Sequence, residues 1–326
     1  MTILHSLAAG AALLATLGAD GVVERHVYVM GTRASLAVWE DSRSAGLFVL
    51  ESAVDALERT ERQLSTWRDD SVLSALNRTP SGTPFQLSLD LCSLFGAISD
   101  WHRVTDGAFD PSIGELLEAW DVTGSGRIPT ATELERGRSS SGMRHFDLDL
   151  AQCRVTRVGA ARIDAGAFGK GVALDRAAAV LSGRRWMIDL GGQVSVGRQY
   201  VDGLGWPVAV ADPLRRDRPA LNLLLREGSL ATSGGSERDL MVAGQRVGHI
   251  IDPRSGSPAD FTGSVSVWHQ SALVADVLST AMFVMGPDEG LRWAEAAGIA
   301  ACFLESSVAG EIRVRMTSSF GALVVG

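Results

Sequence analysis

From His145 onward the chain breaks into short β-rich runs: FDLDL, CRVTRV, ARIDAG, WMIDLGG, PVAVADP, LNLLLRE, DLMVAG and VGHIIDP, separated by Gly, Asp, Pro or Arg clusters. A single helical stretch, Val172 to Leu181, interrupts them; a second α-rich stretch runs from Ala272 to Ala297, and AACFLE and EIRVRM close the chain as strands. Strands and helices do not alternate regularly, so a doubly wound parallel sheet is excluded. The pattern predicts an α+β protein: a mostly antiparallel sheet platform flanked by helices.

The first third is mainly helical. VVERHVYVM and ASLAVW read as strands around the turn Gly31-Thr32. Between Ala45 and Leu64 the apolar residues Leu47, Leu50, Val54, Leu57 and Leu64 fall on one face of an amphipathic helix. Asp70 is placed to cap a short helix through Asn77, and Leu91, Leu94, Ile98 and Trp101 mark a third helix that stops near Gly107. Residues 123–142 are polar and turn-rich, which predicts an exposed connection. No internal repeat of useful length is present.

Composition narrows the function classes. Apolar residues make up 46% of the 326-residue chain, ample for a buried core. A formal charge of -8 gives no broad basic footprint for nucleic acid or anionic lipid, which leaves small molecules and proteins as partners. Cys92, Cys153 and Cys302 are far apart and odd in number; they define neither a disulfide framework nor a CxxC site and are read as buried thiols. Residues 3–19 carry no acidic or basic side chain apart from His5 and end in small residues. They read as a candidate secretory signal cleaved near Ala19, although the preceding MTILHS lacks the usual Lys or Arg; a membrane anchor and a soluble N-terminal helix are the alternatives. Membrane association is expected only through this segment, because no later one reaches the roughly 18 uncharged apolar residues of a spanning helix.

Three constellations carry chemistry. In Arg162–Asp175, RIDAGAFGKGVALD, a strand runs through Gly166, Gly169 and Gly171 into a helix. Helix N-terminal N–H groups and the charge of Lys170 suit a phosphate, and Asp164 is able to accept hydrogen bonds from a ring or sugar. The spacing is neither Walker A nor GxGxxG, and a plain strand-to-helix turn with a solvated lysine fits equally. In SALVADVLSTAMFVMG, Asp276, Ser279 and Thr280 share one helix face among apolar neighbours. A buried carboxylate needs a partner, and a hard cation would supply one; the plainer reading is that Thr280 bonds back to the helix carbonyls and Asp276 caps or pairs with an arginine. In GHIIDP, a strand leading into a proline-bounded turn, His249 suits general-base work or a phosphate contact; a structural histidine is the plainer reading. Met30 and Trp67 offer soft or flat apolar surface to a planar heterocycle, and Ala108-Phe109-Asp110 sits in a turn able to read its edge.

Taken in order, VMGTRASL, LSTWRDDSVLSALN, TDGAFDPSIGELLEAW, RIDAGAFGKGVALDRA, MIDLGGQVSVG, VAVADP, LATSGGSER, GHIIDPRSGSP and SALVADVLSTAMFVMG resemble the FAD:protein FMN transferase (ApbE) family. The resemblance spans about residues 28–286 and implies one domain over residues 20–326. It also implies an often exported enzyme, in the periplasm or cell envelope and otherwise cytoplasmic, that binds FAD and Mg²⁺. Such an enzyme transfers FMN to a Thr or Ser of an acceptor protein and releases AMP. By position, Met30 and Trp67 would flank the isoalloxazine and Ala108, Phe109 and Asp110 would line its edge. Asp164 and Lys170 would hold the nucleotide part, and His249 with Ile250 would sit by the pyrophosphate. The cation would fall to Asp276, Thr280, Ser279 and the main-chain oxygen of Ala167. His249 is preferred over Asp276 as the base, since a carboxylate committed to a metal is a poor one. Trp67 stands where the family usually has Tyr, Ser112 where Thr is common, and Gly235-Ser236 where an acidic or amide residue and Tyr are usual. An FAD pyrophosphatase and a non-catalytic FAD-binding protein are the alternatives.

Overall fold

The computed structural model describes residues 21–198, 205–235, 239–242, 245–307 and 310–325. The N-terminal apolar segment of residues 3–19 lies outside them. In chain order the strands are β1 (Val22–Val29), β2 (Thr32–Trp39), β3 (Pro84–Gln86), β4 (Phe146–Asp149), β5 (Arg154–Arg157), β6 (Arg185–Leu190), β7 (Gln193–Val196), β8 (Trp206–Ala211), β9 (Pro219–Leu225), β10 (Gly228–Gly234), β11 (Leu240–Val242), β12 (Gln245–Val247), β13 (Gly263–His269), β14 (Ala300–Ser306), β15 (Ile312–Met316) and β16 (Val324–Val325). The α-helices are α1 (Arg43–Leu64), α2 (Val72–Arg78), α3 (Leu89–Val104), α4 (Gly114–Trp120), α5 (Ala131–Ser139), α6 (Gly169–Val180), α7 (Ala272–Ala296) and α8 (Ser318–Gly321).

The platform is an eight-stranded sheet in the order β1-β2-β6-β7-β10-β13-β14-β15, with each adjacent pair antiparallel. The α+β expectation therefore stands. Helix α6 packs against both α1 and α7, α1 lies on β1 and β2, and α7 lies on β10, β13 and β14. The apolar face of α1 buries Leu50, Val54, Leu57 and Leu64, at the steps of four, three and seven foreseen in the sequence. The small sheet β16-β9-β8 adds a further layer, its Val208, Leu223 and Leu225 meeting Val196 and Leu230 of the platform. A second core joins α2, α3 and the small sheet β3-β5-β4 to the buried sides of α6 and α7.

Two carboxylates lock α6 to α7. Asp175 of α6 accepts from the Ser271 hydroxyl at 2.7 Å and from the N–H groups of Ala272 at 2.6 Å and Leu273 at 3.1 Å, so it satisfies the first turn of the neighbouring helix. Asp276 of α7 returns the contact to the first turn of α6. The helices approach so closely that a Cβ on Gly171 would lie 2.5 Å from the Ala272 carbonyl oxygen and 2.6 Å from the Leu273 Cα. Farther along, α7 breaks at Gly286 (φ 73), followed by Pro287, where residues other than glycine are disfavoured.

Several sequence expectations change. The short second helix is capped by Ser71, whose hydroxyl accepts from Ser74 N–H, because Asp70 is captured by Arg68. Residues 123–142 contain α5, secured by a Thr130–Glu133 capping box. ARIDAG forms no strand; Ile163 is held from both sides by the Asn77 amide and Asp164 N–H donates to Pro111 O. GSVSVWH, not among the expected runs, is β13 in the middle of the platform. The helix after the glycine turn begins at Gly169 rather than Val172.

The cysteines also differ from expectation. Cys92 and Cys153 form a disulfide across a sequence separation of 61, Cα to Cα 5.2 Å, and only Cys302 is free. Cys92 lies on the inward face of α3 opposite the turn between β4 and β5, a proximity that sequence spacing does not encode. Burial pushes the Cys302 thiol up to about 12, so it is inert in the folded protein.

Iodoacetamide applied to the unfolded, unreduced protein is expected to label one cysteine by mass, and three after reduction; three labels without reductant would exclude the bridge. Gly171→Ala is expected to lower stability by about 1–3 kcal/mol in urea unfolding, because the methyl group meets backbone and cannot be accommodated by a rotamer change. An unchanged midpoint would show that the helices separate at little cost.

Candidate functional site

Helix α6 starts without a side-chain cap of its own: Phe168 occupies the N-cap position and offers no acceptor. Its first N–H groups therefore need a partner from elsewhere. Asp276, one turn into α7, supplies it. Its Oδ2 accepts from Gly171 N–H at 2.9 Å and its Oδ1 pairs with Lys170 Nζ at 2.9 Å. Asp276 is 3% exposed, and at that burial a carboxylate persists only with such partners. The basic partner of Asp276 is Lys170 of the glycine turn, not the arginine the residue pattern suggested.

The same bond has a consequence at Ala167. In an uninterrupted helix the Gly171 N–H would donate to the carbonyl four residues back; here it goes to Asp276. Among the described residues no donor replaces it, and the half-buried Ala167 carbonyl keeps both lone pairs free. On α7, Thr280 and Ser279 carry hydroxyls, and Ser233 at the end of β10 lies 2.9 Å from Ser279 Oγ and 3.3 Å from Thr280 Oγ1. The predicted cation ligands Ala167, Asp276, Ser279 and Thr280 thus belong to two segments that touch. The donor set is all oxygen, one charged and the rest neutral, which fits a hard divalent cation. Among the described residues there is no group of three or more His, Cys, Asp or Glu that could hold a metal ion by itself.

The ring-binding candidates gather around the glycine turn. Met30 occupies the first loop position of the two-residue β1–β2 hairpin at φ 54, a conformation costing roughly 1–2 kcal/mol for a side chain of this kind. Its N–H is held by Glu61 of α1 at 2.8 Å, and its methyl lies 3.4 Å from where a Cβ on Gly169 would stand. Just past α1, Thr66 donates to Asp164 Oδ2 at 3.1 Å, and the neighbouring Trp67 is 75% exposed. Asp164 also accepts from Gly166 N–H at 2.7 Å, shaping the turn with the oxygens predicted to meet a nucleotide.

Ala108, Phe109 and Asp110 are buried. Phe109 packs edge-on against Phe168, centroids 6.4 Å apart, so its ring belongs to the core beneath the turn. The Asp110 carboxylate is used by the Ser112 N–H at 2.8 Å and hydroxyl at 2.6 Å. This segment is tied to the glycine turn through Pro111 O and Asp164 N–H.

His249 follows the end of β12 in a bend rather than a strand. Asp239 Oδ1 accepts from His249 N–H at 3.2 Å and lies 3.1 Å from Nδ1. A carboxylate acceptor at that distance favours the proton on Nδ1. Ile250 packs on the same core that holds Phe168 and Val277, which links this loop to both halves of the cation-ligand set.

Sequence reasoning did not single out Ser233, Asp239, Asp175 or Thr66. Asp175 and Ser233 lie within the quoted segments RIDAGAFGKGVALD and LATSGGSER, but their partners are 96 and 46 residues away. No periodicity reports such a distance.

The profile of the ApbE family matches residues 30–303. A FAD:protein FMN transferase of Vibrio cholerae serotype O1 is 29% identical over 303 residues, covering 89% of this chain and 90% of that one. One of Treponema pallidum is 30% identical over 290 residues, covering 80% and 78% respectively. Among solved structures, the ApbE protein of Thermotoga maritima superposes with a TM-score of 0.85 at 28% identity, covering 94% of this chain and 100% of its own. The matched span runs from Met30 through the α6–α7 junction to β14, and the chain belongs to the ApbE family.

Proposed function

We propose that this chain is a flavin transferase that cleaves the pyrophosphate of FAD and attaches FMN to a Thr or Ser hydroxyl of an acceptor protein, with AMP as the leaving group. The observation that carries the proposal is the pairing of the buried Asp276 of α7 with Lys170 and the Gly171 N–H, which joins the glycine turn to α7. The relatives' names as FAD:protein FMN transferases support the same reading.

The acceptor hydroxyl oxygen bonds to the phosphorus on the FMN side, the bond from that phosphorus to the bridging oxygen breaks, and AMP departs with that oxygen. The hydroxyl proton passes to the His249 imidazole, whose Nδ1 lies 3.1 Å from Asp239 Oδ1. Lys170 retains ammonium hydrogens beyond the one shared with Asp276 and directs them to phosphate oxygens. Met30 and Trp67 hold the isoalloxazine by dispersion and stacking, with Ala108, Phe109 and Asp110 shaping the floor of its edge and Asp164 and Ile250 bordering the nucleotide. Asp276, Thr280 and the Ala167 carbonyl would hold Mg²⁺, which would supply charge neutralisation for the pyrophosphate.

We further propose that the protein works outside the cytoplasm, in the periplasm or cell envelope. The apolar residues 3–19 and the Cys92–Cys153 disulfide both suit an oxidising compartment.

Incubation with FAD, Mg²⁺ and an acceptor domain bearing a target Thr should give in-gel flavin fluorescence on the acceptor and one AMP per flavin transferred. Asp276→Ala is expected to lower the rate at least 100-fold. AMP and free FMN with no labelled acceptor would instead define a pyrophosphatase, and bound FAD with no AMP a carrier. In cell fractionation the mature chain is expected outside the cytoplasm; a reduced, cytoplasmic chain would refute export.

A further inference from the structure

Three hydroxyls and a carbonyl at the α7–β10 contact form a chain whose proton directions are fixed by elimination. Ser279 donates to the carbonyl of Asp276, three residues back, at 3.0 Å, so its only hydroxyl hydrogen is spent. Its contact with Ser233 at 2.9 Å is then one in which Ser233 donates. With the Ser233 hydrogen committed, its contact with Thr280 at 3.3 Å is one in which Thr280 donates. The order is Thr280 to Ser233 to Ser279 to the Asp276 carbonyl.

This order separates two residues that the sequence pattern treats alike. Ser279 is 1% exposed, its hydrogen faces its own helix and a lone pair receives Ser233. Thr280 is half-buried, and its hydrogen is drawn toward β10, which turns its lone pairs away from the strand. An oxygen that faces a cation must do so with lone pairs and with its hydrogen elsewhere. We infer that Ser233 is a positioning residue that orients the Thr280 hydroxyl as a cation ligand, and that Ser279 supports Ser233 without itself touching the cation. The inference rests on the cation role proposed above for Asp276 and Thr280. It assigns the ligand geometry to a strand residue, in the segment LATSGGSER, outside both segments that carry the proposed ligands.

The test compares Ser233→Thr, which keeps the hydroxyl, with Ser233→Val, which has the same shape and lacks it. The full chain is titrated with Mn²⁺, an oxygen-seeking stand-in for Mg²⁺ whose free form is counted by electron paramagnetic resonance. Ser233→Thr should bind within about twofold of the parent, and Ser233→Val about 3- to 10-fold more weakly, the worth of one orienting hydrogen bond. Ser279→Ala should weaken binding less than Thr280→Val. Because the Thr and Val side chains are isosteric, a packing defect affects both variants and their difference isolates the hydroxyl. Equal affinity of the two, with Asp276→Ala still abolishing binding, would overturn the role of Ser233 and leave the cation proposal intact. Mn²⁺ binding that Asp276→Ala does not reduce would overturn both.

Discussion

The buried carboxylate of Asp276 is the constraint around which the rest is arranged. At 3% exposure it needs donors, and the donors it takes are the Gly171 N–H and the Lys170 ammonium of α6. Taking the Gly171 N–H deprives Ala167 of its usual partner, so one interaction both satisfies a charge and creates an acceptor. Asp175 completes the arrangement from the opposite direction by capping α7. Each helix has its first turn satisfied by a carboxylate of the other, and the backbone approach at Gly171 follows from that exchange.

The surrounding layers keep this junction fixed. The platform supports α7 along β10, β13 and β14, and the helical core beneath the glycine turn anchors Phe168 against Phe109. The ring-facing candidates are placed by polar contacts that cross between elements: Glu61 to Met30, Thr66 to Asp164, and Asn77 to Ile163. Soft or exposed side chains such as Met30 and Trp67 thus stand on hydrogen-bonded backbone, which suits a surface that must accept a planar ligand without collapsing.

Much of this was legible in the chain. Apolar spacing located α1, the α-rich stretch from Ala272 to Ala297 located α7, the glycine turn pointed to α6, and the four-residue step from Asp276 to Thr280 placed their oxygens on one helix face. What was not legible depends on partners distant in sequence. Asp70 lost its capping role because the adjacent Arg68 takes its carboxylate, and Ser71 stands one position on. ARIDAG is extended, but its hydrogen bonds go to a side-chain amide and a loop carbonyl rather than to a ladder. β13 alternates Ser and Val as a half-exposed strand does, yet both faces are covered, with Ser266 meeting Thr232 on one side and Val265 and Val267 meeting α7 on the other. The cysteine pair was obscured for the same reason, since α3 and the β4–β5 turn meet only in the folded chain.

That cross-link closes a covalent ring around everything between α3 and the β4–β5 turn. The ring contains the buried Ala108-Phe109-Asp110 segment, α4, α5 and the polar stretch between them. A protease that cuts the exposed part of this stretch therefore separates no fragment from the molecule. The floor beneath the glycine turn stays tethered to both sides of the break, and the ends can re-dock without a search through solution.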